Sequence, residues 1–329
     1  MTWQSTLTWE DAQNRAGILE QIRAFFKARK VIEVETPALS KGSITDVHLE
    51  ALNCNYDFME SSPISQSTTL YLQTSPEFHM KRLLASGYQS IFQIAKAFRH
   101  ESAGRFHNPE FTLLEWYRID FDHFDLIREV SALLKEILGC EEPTLISYQA
   151  AFKQYTNIDP LNTNRKALLS YIDNINKLES WIIQDSNHDE DNDMLLQYIF
   201  GECVEPNIGI TSPCFVYDFP LSQASLAKVS TTDPRVANRF ECYFKGFELA
   251  NGFNELTDAN IQRQRFKNDN TKRRALGLCD KTIDQNFIDA LSHGIPECAG
   301  VALGVDRLVM LALEKKKIDG VISFGVNIA

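Results

Sequence analysis

Two β-patterned stretches, Ile91 to Arg99 and Phe111 to Tyr117, flank a loop, Ser102 to Pro109, that contains Gly104, Asn108 and Pro109. Such turn chemistry between two strand-like runs predicts adjacent antiparallel strands. Side chains alternate along a strand, so Arg99 and Glu101 share a face with Gln93 and Ala97. By the same parity Phe111, Leu113, Glu115 and Tyr117 share one face of the partner strand. Paired as a hairpin, one sheet surface then carries an arginine, two carboxylates, an aromatic ring and a phenol. That surface suits a charged ligand; the alternative is an exposed sheet face with incidental ion pairs.

Around this hairpin the periodicity predicts a helix over Asp11 to Lys30, with Ala16, Leu19, Ile22, Phe25 and Phe26 on one stripe. A short strand, Val31 to Glu35, stops at Pro37. A strand at Tyr71 to Gln73 and a helix at Pro76 to Gly87 follow. From His123 to about Pro206 the pattern turns helical, with Leu126, Val130, Leu133, Leu134 and Ile137 on one helix and Met194, Leu195 and Ile199 on another, and is expected to be an insertion. Strands return at Phe215 to Phe219, Phe240 to Glu255 and Val301 to Val305, and a helix runs from Asp306 to Lys315. With no repeat or long linker, the expectation is one α+β domain spanning 1–329, a mainly antiparallel sheet flanked by helices, with a helical insertion at about 123–206. At 44% hydrophobic residues, 329 residues are enough for a full core and exclude a disordered chain.

Charge narrows the partners. Lys and Arg total 33 against 44 Asp and Glu, a net charge of -11, which argues against nucleic acid as the main partner. The seven cysteines are scattered without a C-x-x-C pair and read as reduced thiols. The stretch from Met1 to Asp11 lacks the order of a signal peptide, and the longest apolar run, Gly300 to Leu313, is broken by Asp306 and Arg307. A cytoplasmic protein with no membrane partner is expected. The acidic run Asp185 to Asp193 could be a metal cluster, but a solvated loop capping the next helix is the better expectation.

Two further stretches carry chemistry. In Glu241 to Glu255, Asn251, Phe253 and Glu255 share one parity, and Gly246 and Gly252 allow bends. Glu241 and Glu248 have opposite parity and can converge only across such a bend. Paired carboxylates beside phosphate oxygens suit Mg²⁺, but two glutamates in a strand are by themselves more often ordinary acids than a metal site. In Gly304-Val-Asp-Arg307 an arginine falls in the first turn of a helix, where the dipole disfavours a cation unless an anion compensates. Gly304 leaves room for a flat ring to approach the backbone.

Taken in order, these segments resemble the signature motifs of class II aminoacyl-tRNA synthetases, most closely the lysyl enzymes. Val34-Glu-Thr-Pro37 after a long helix looks like motif 1, the usual dimer element. Phe98-Arg-His-Glu101 with Asn108-Pro-Glu-Phe111 looks like motif 2, and Gly304-Val-Asp-Arg307 like motif 3. Thr74-Ser-Pro-Glu77 and Asn251-Gly-Phe-Asn-Glu255 add to the match. Motif 1 begins near residue 30, leaving no room upstream for an anticodon-binding barrel, so a catalytic domain alone is expected and no tRNA partner. Ala302 stands where lysyl enzymes typically carry glycine on the wall of the substrate pocket. Both departures match a branch of the family that adenylates (R)-β-lysine and transfers it to a lysine of elongation factor P.

The resemblance implies ATP and Mg²⁺ as cofactors, elongation factor P as acceptor and a homodimer built around Asp11 to Pro37. It implies that Arg99 binds the α-phosphate and acts with Arg307 in catalysis. His100, Glu101 and Asn108 would contact the nucleotide, Phe111 and Arg307 would sandwich adenine, and Leu249 and Gly304 would line the ATP site. Glu241 and Glu248 would hold Mg²⁺. Ser75, Pro76, Glu77, Tyr117 and Glu255 would bind the amino acid, with Glu115, Asn251, Phe253 and Ala302 nearby. Lysyl enzymes often have arginine directly before the histidine that corresponds to His107; here Phe106 takes that place, so the resemblance does not carry a γ-phosphate role over to Arg105. The alternatives are a truncated lysyl-type enzyme that activates α-lysine, a non-catalytic synthetase-like binding module, and an ammonia-using amide synthetase acting on aspartate. That last enzyme should carry an extra cation in the pocket where Glu255 stands.

Overall fold

The hairpin expected between residues 91 and 117 forms and lies within an eight-stranded sheet. A computed structural model describes residues 3–57, 67–185 and 192–329. Helix α1 (Trp9–Ala28) leads into β1 (Ile32–Glu33) and β2 (Leu39–Ser40), followed by β3 (Asn53–Asp57), β4 (Ser67–Leu72) and α2 (Glu77–Ala85). Strands β5 (Ile91–Phe98) and β6 (Glu110–Ile119) come next, then α3 (His123–Leu138), β7 (Thr144–Ser147), α4 (Tyr148–Thr156), α5 (Arg165–Asn174), α6 (Ser180–Asp185) and α7 (Asp193–Ile199). Strands β8 (Cys214–Pro220), β9 (Val236–Phe244) and β10 (Phe247–Asn254) precede helices α8 (Ala259–Ala275) and α9 (Gln285–His293), and β11 (Cys298–Gly304) runs into α10 (Val305–Ala312).

The sheet order is β1-β5-β6-β11-β10-β9-β8-β7, and β2-β4-β3 form a second, three-stranded sheet. The main sheet is antiparallel in its interior, with parallel pairs only at its edges, β1 with β5 and β7 with β8. One face is apolar. Phe92, Leu114, Trp116, Val301, Leu303, Phe240 and Phe215 pack there against Ile22, Phe25 and Phe26 of α1, Leu126, Val130 and Leu133 of α3, and Leu308 and Val309 of α10. Of the stripe read from the sequence of α1, Ile22, Phe25 and Phe26 are buried, Leu19 is half-buried and Ala16 is exposed, while Ile18 is buried outside it.

The opposite face is covered only at its two sides. Over Ile91 and Tyr117 lie Phe78, Met80 and Leu84 of α2, Phe266 of α8 and Phe287 of α9. Over Val216 and Tyr243 lie Tyr148 and Phe152 of α4, Leu168 and Ile172 of α5, and Leu195 and Ile199 of α7. The helical stretch expected as one insertion over 123–206 therefore divides. Helix α3 belongs to the core behind the sheet, β7 joins the sheet edge, and only the helices from Tyr148 onward form the second cover. Of the acidic run Asp185 to Asp193, residues 186–191 lie outside the described residues. Asp193 is buried and accepts a hydrogen bond from Ser222 Oγ at 2.7 Å.

Asp306 ties three elements together behind the site. It is 2% exposed, its Oδ2 accepts the Thr112 amide of β6 at 2.7 Å, and its Oδ1 stands 2.7 Å from Arg15 Nη2 of α1. Arg15 also donates to the Val321 carbonyl at 3.1 Å. Asp306→Ala would leave the arginine and the amide without their anion, and breaking a buried pair costs about 3–5 kcal/mol. Because Arg15 keeps 15% of its side chain exposed, the expected loss is at the lower end, about 3 kcal/mol in urea denaturation. A loss below about 1 kcal/mol would show that surface-type pairing is all this contact provides.

Candidate active site

A single cross-strand row builds the floor between the two helical covers. Gln93 of β5 pairs with Glu115 of β6, Glu115 with Ala302 of β11, Ala302 with Asn251 of β10, and Asn251 with Glu241 of β9. One register step away runs a second row on the same face, Ile91, Tyr117, Gly300, Phe253 and Arg239. Five strands thus present one continuous polar surface, as the parity of the first hairpin predicts. Ala302 and Asn251 are half-buried in it.

Acidic groups gather at the α2 side. Glu115, 2% exposed, accepts from Ser75 Oγ and from the Tyr117 hydroxyl, both at 2.7 Å. Ser75 also accepts the Glu77 amide at 3.0 Å, which fixes the start of α2 one residue past Pro76. Glu255, 1% exposed, follows β10, where its amide donates to the Cys298 carbonyl. Burial, with Glu77 adding repulsion, pushes Glu115 up to about 7. Burial likewise pushes Glu255 up to about 8, opposed by Lys81 and reinforced by Glu77. Crowded carboxylates in a dry site resist ionising together unless a cation joins them. Lys81 was not among the expected site residues. It is 1% exposed, with its ammonium 2.5 Å from Glu77 Oε1 and 2.5 Å from Glu255 Oε2.

Positive and negative groups meet at the other end of the floor. The two carboxylates of opposite parity do share a face, through a bulge: Glu248 pairs with Tyr243, Ala250 pairs with Cys242, and Leu249 is the extra residue between them. Glu248 therefore lands on the face of Tyr243 and Glu241. Burial first, and then the charge of Glu241, push Glu248 up to about 7 against the pull of Arg307, Arg239 and Arg99. Glu241 accepts from Arg239 Nη2 at 2.5 Å, from Asn251 Nδ2 at 3.0 Å and from the Tyr243 hydroxyl. Arg307 Nη1 donates to the Glu248 carbonyl at 2.8 Å, so the bulge also seats the arginine of α10. Its Nη2 lies 2.9 Å from His107 Nε2, which was likewise not expected. Arg99 stacks over Phe111, its Cζ 5.1 Å from the ring centroid, and its buried Nε has no hydrogen-bond partner. Burial lowers the Arg99 pKa, with the charge of Glu248 opposing.

Several expected contacts are placed differently. Leu249 packs its side chain into the core, 2% exposed, so only its backbone can border a nucleotide. Asn108 uses its amide within the protein, donating to the Glu110 carbonyl at 2.6 Å and accepting the Val326 amide at 3.0 Å. That anchors the loop between β5 and β6 to the C-terminal segment. His100 is exposed, and Arg105 donates its Nε to the Lys316 carbonyl at 2.9 Å. At Gly304 an added Cβ would meet only the stem of Arg307, at 3.7 Å and beyond. Phe253 lies in the second row beside Arg239, whose Cζ is 5.9 Å from its ring centroid.

A hard divalent cation fits Glu241 and Glu248. Both are oxygen donors on one face, and an ion there would share Glu241 with Arg239, Asn251 and Tyr243. Among the described residues no group of three or more His, Cys, Asp or Glu could hold a metal.

The sequence profile of tRNA synthetases class II (D, K and N) matches residues 5–328, and the chain belongs to that family. It is 50% identical over 326 residues to proteins named elongation factor P–(R)-β-lysine ligase from Salmonella paratyphi B, Salmonella heidelberg and Salmonella enteritidis, covering 99% of this chain and 98% of each relative. In such a family the site handles an amino acid and ATP. All seven cysteines are unpaired, and among the described residues no helix is long and apolar enough to cross a membrane.

Gly300 offers a test of the floor. A Cβ there would lie 2.3 Å from Glu255 Oε1 and 2.3 Å from Tyr117 Cε1. Gly300→Ala must displace one of these buried groups, and a one-carbon misfit in a pocket costs roughly tenfold or more. The amino acid KM should rise by that factor while the ATP KM stays within a few-fold. Equal losses for both would place the damage in the fold.

Proposed function

We propose that the chain activates (R)-β-lysine with ATP as the aminoacyl-adenylate and transfers it to a lysine side chain of elongation factor P. The observation that carries this reading is the buried acidic pocket formed by Glu77, Glu115 and Glu255 beside Ala302. It accompanies 50% identity over 99% of the chain to relatives named for this reaction. A diamino acid brings two ammonium groups to that pocket. Its carboxylate, already ionised at neutral pH, attacks the α-phosphorus in line, the bond to the bridging oxygen breaks, and pyrophosphate leaves. No general base is needed for this step.

Arg99, whose buried Nε lacks a partner, binds the α-phosphoryl oxygens and stabilises charge that grows on them. Phe111 and Arg307 hold adenine between them, with Gly304 leaving the approach open. Ser75, Tyr117 and Asn251 orient the amino acid, and the buried Asn251 Oδ1, which has no protein partner, accepts from one of its ammonium groups. Glu241 and Glu248 would hold Mg²⁺, which would supply positive charge against the phosphates. In the second step the acceptor lysine amine attacks the carbonyl carbon, AMP leaves, and the amine loses its proton. Leaving a buried carboxylate without its cation is costly, so monoamino acids of similar length are rejected.

Ala302 stands in the floor between Glu115 and Asn251, where the amine position distinguishes β-lysine from α-lysine. ATP–pyrophosphate exchange with (R)-β-lysine, (S)-β-lysine, α-lysine and aspartate should be fastest with (R)-β-lysine. Ala302→Gly should raise α-lysine activation roughly tenfold while keeping β-lysine activity, since one methyl is worth about 1–3 kcal/mol. Fastest exchange with α-lysine in the wild type would overturn the substrate, and an unchanged ratio in the variant would remove Ala302 from selectivity.

The same family assignment supports a two-fold dimer through α1 and the segment to Pro37. Edge strand β1 pairs only with β5, and its Ile32 is 61% exposed. Light scattering should give twice the chain mass of 37.5 kDa. The monomer mass at micromolar concentration would exclude this dimer.

A further inference from the structure

One buried cation stands inside the acidic pocket and takes no part in the steps above. Lys81 lies one helical turn beyond Glu77 and reaches down from α2 between Glu77 and Glu255, 2.5 Å from an oxygen of each. The rings of Phe287 and Tyr117 stand 5.8 and 6.0 Å from its ammonium and keep water away. Burial works against this charge, and Glu255 and Glu77 more than reverse it, so the ammonium is held more firmly than in water. The ammonium pairs with Glu255 Oε2, and the other oxygen of that carboxylate, Oε1, remains a buried acceptor without a donor. An unsatisfied carboxylate in a dry pocket is aimed at a ligand that brings donors.

Charge counting then singles out Lys81. The groups facing one another are Glu77 and Lys81 from α2, Glu115 and Tyr117 from β6, Glu255 after β10, and Cys298 from β11. Tyr117 is pushed well above its ordinary value and Cys298 up to about 12, both chiefly by burial, so both stay neutral. Three carboxylates and one resident ammonium leave an excess of two negative charges. A diamino acid carries two ammonium groups. We propose that Lys81 is a positioning residue that sets the charge of the pocket, pairing Glu77 with Glu255 so that two ammonium groups, and not one or three, neutralise it. This rests on the assignment of the pocket to the amino acid.

Without ligand, burial first and then the repulsion of Glu77 favour protons on these acids, and Glu115 and Glu255 sit near 7 and 8. Both acids bind the ligand when ionised, so the amino acid KM should fall as pH rises and level off above about 8. Lys81 opposes protonation of both acids. Lys81→Met should therefore move the inflection of that profile upward by about one pH unit or more, with the ATP KM within about threefold. Lys81→Arg, which keeps the charge, should restore the wild-type inflection.

The same displacement is readable without substrate. The infrared band of protonated carboxyl groups in the free protein should fade at higher pH in Lys81→Met than in wild type, and Glu255→Gln should remove part of that band. A band shifted in Lys81→Met, with a wild type that activates no diamino acid, would overturn the substrate assignment and leave the charge-setting role standing. An unshifted band, or a KM profile with the wild-type inflection in folded Lys81→Met, would overturn the role of Lys81. If Lys81→Met does not fold, the Lys81→Arg profile decides, and an inflection displaced in that variant overturns it as well.

Discussion

Five strands share one register, and the pleat sends alternate side chains to opposite faces. A slip of one residue in any of them would turn its polar members into the hydrophobic core behind and bring Phe or Leu to the front. Gln93, Glu115, Ala302, Asn251 and Glu241 stand in a line because Phe92, Leu114, Val301, Leu303, Phe240 and Cys242 must not. The apolar face therefore specifies the site. Helices α1, α3 and α10 seal that face, and Asp306 with Arg15 fixes where α10, and hence Arg307, enters the front.

Electrostatics divides this floor into two unlike ends. The α2 side concentrates acids around a single buried ammonium. The α10 side combines Arg99, Arg239 and Arg307 with two carboxylates that repel each other. An amino acid with two amines and a nucleotide with three phosphates ask for opposite potentials a few residues apart, and the sheet supplies them on neighbouring strands. Because the α2 end is shielded from water, small geometric changes there have large electrostatic effects.

The sequence made the central hairpin legible, because Gln93, Phe111, Glu115 and Tyr117 obey a period of two and the loop residues between them announce a turn. It required a bend for Glu241 and Glu248 to converge, but did not show where the period breaks. Glu248 joins Glu241 only through the bulge at Leu249, and a bulge has no composition of its own. Lys81 was passed over because a lysine within a short helix normally faces water, and only the fold shows that this one lies over the sheet. Helix α8 escaped for a related reason: its buried stripe is Gln262, Phe266, Asn270 and Arg273, polar at three of four positions. The extent of the helical stretch after residue 123 was misjudged because periodicity reveals that a helix has an apolar side but not which layer receives it. Motif resemblance supplied the rest, and it assigned Asn108 and Leu249 to ligand contacts while their side chains serve the scaffold.

Strand β11 lies between β6 and β10, yet it is synthesised after every other strand described here. Until residues 298–304 emerge, β6 and β10 expose unsatisfied edges toward each other, and the floor is split into two halves with nothing to align them. Pairing of segments so far apart in sequence is slow. On the ribosome the nascent chain must therefore wait, half-sheeted and open to wrong partners, and the strand that carries Gly300 and Ala302 acts as a keystone whose arrival completes the sheet and the substrate pocket in one event.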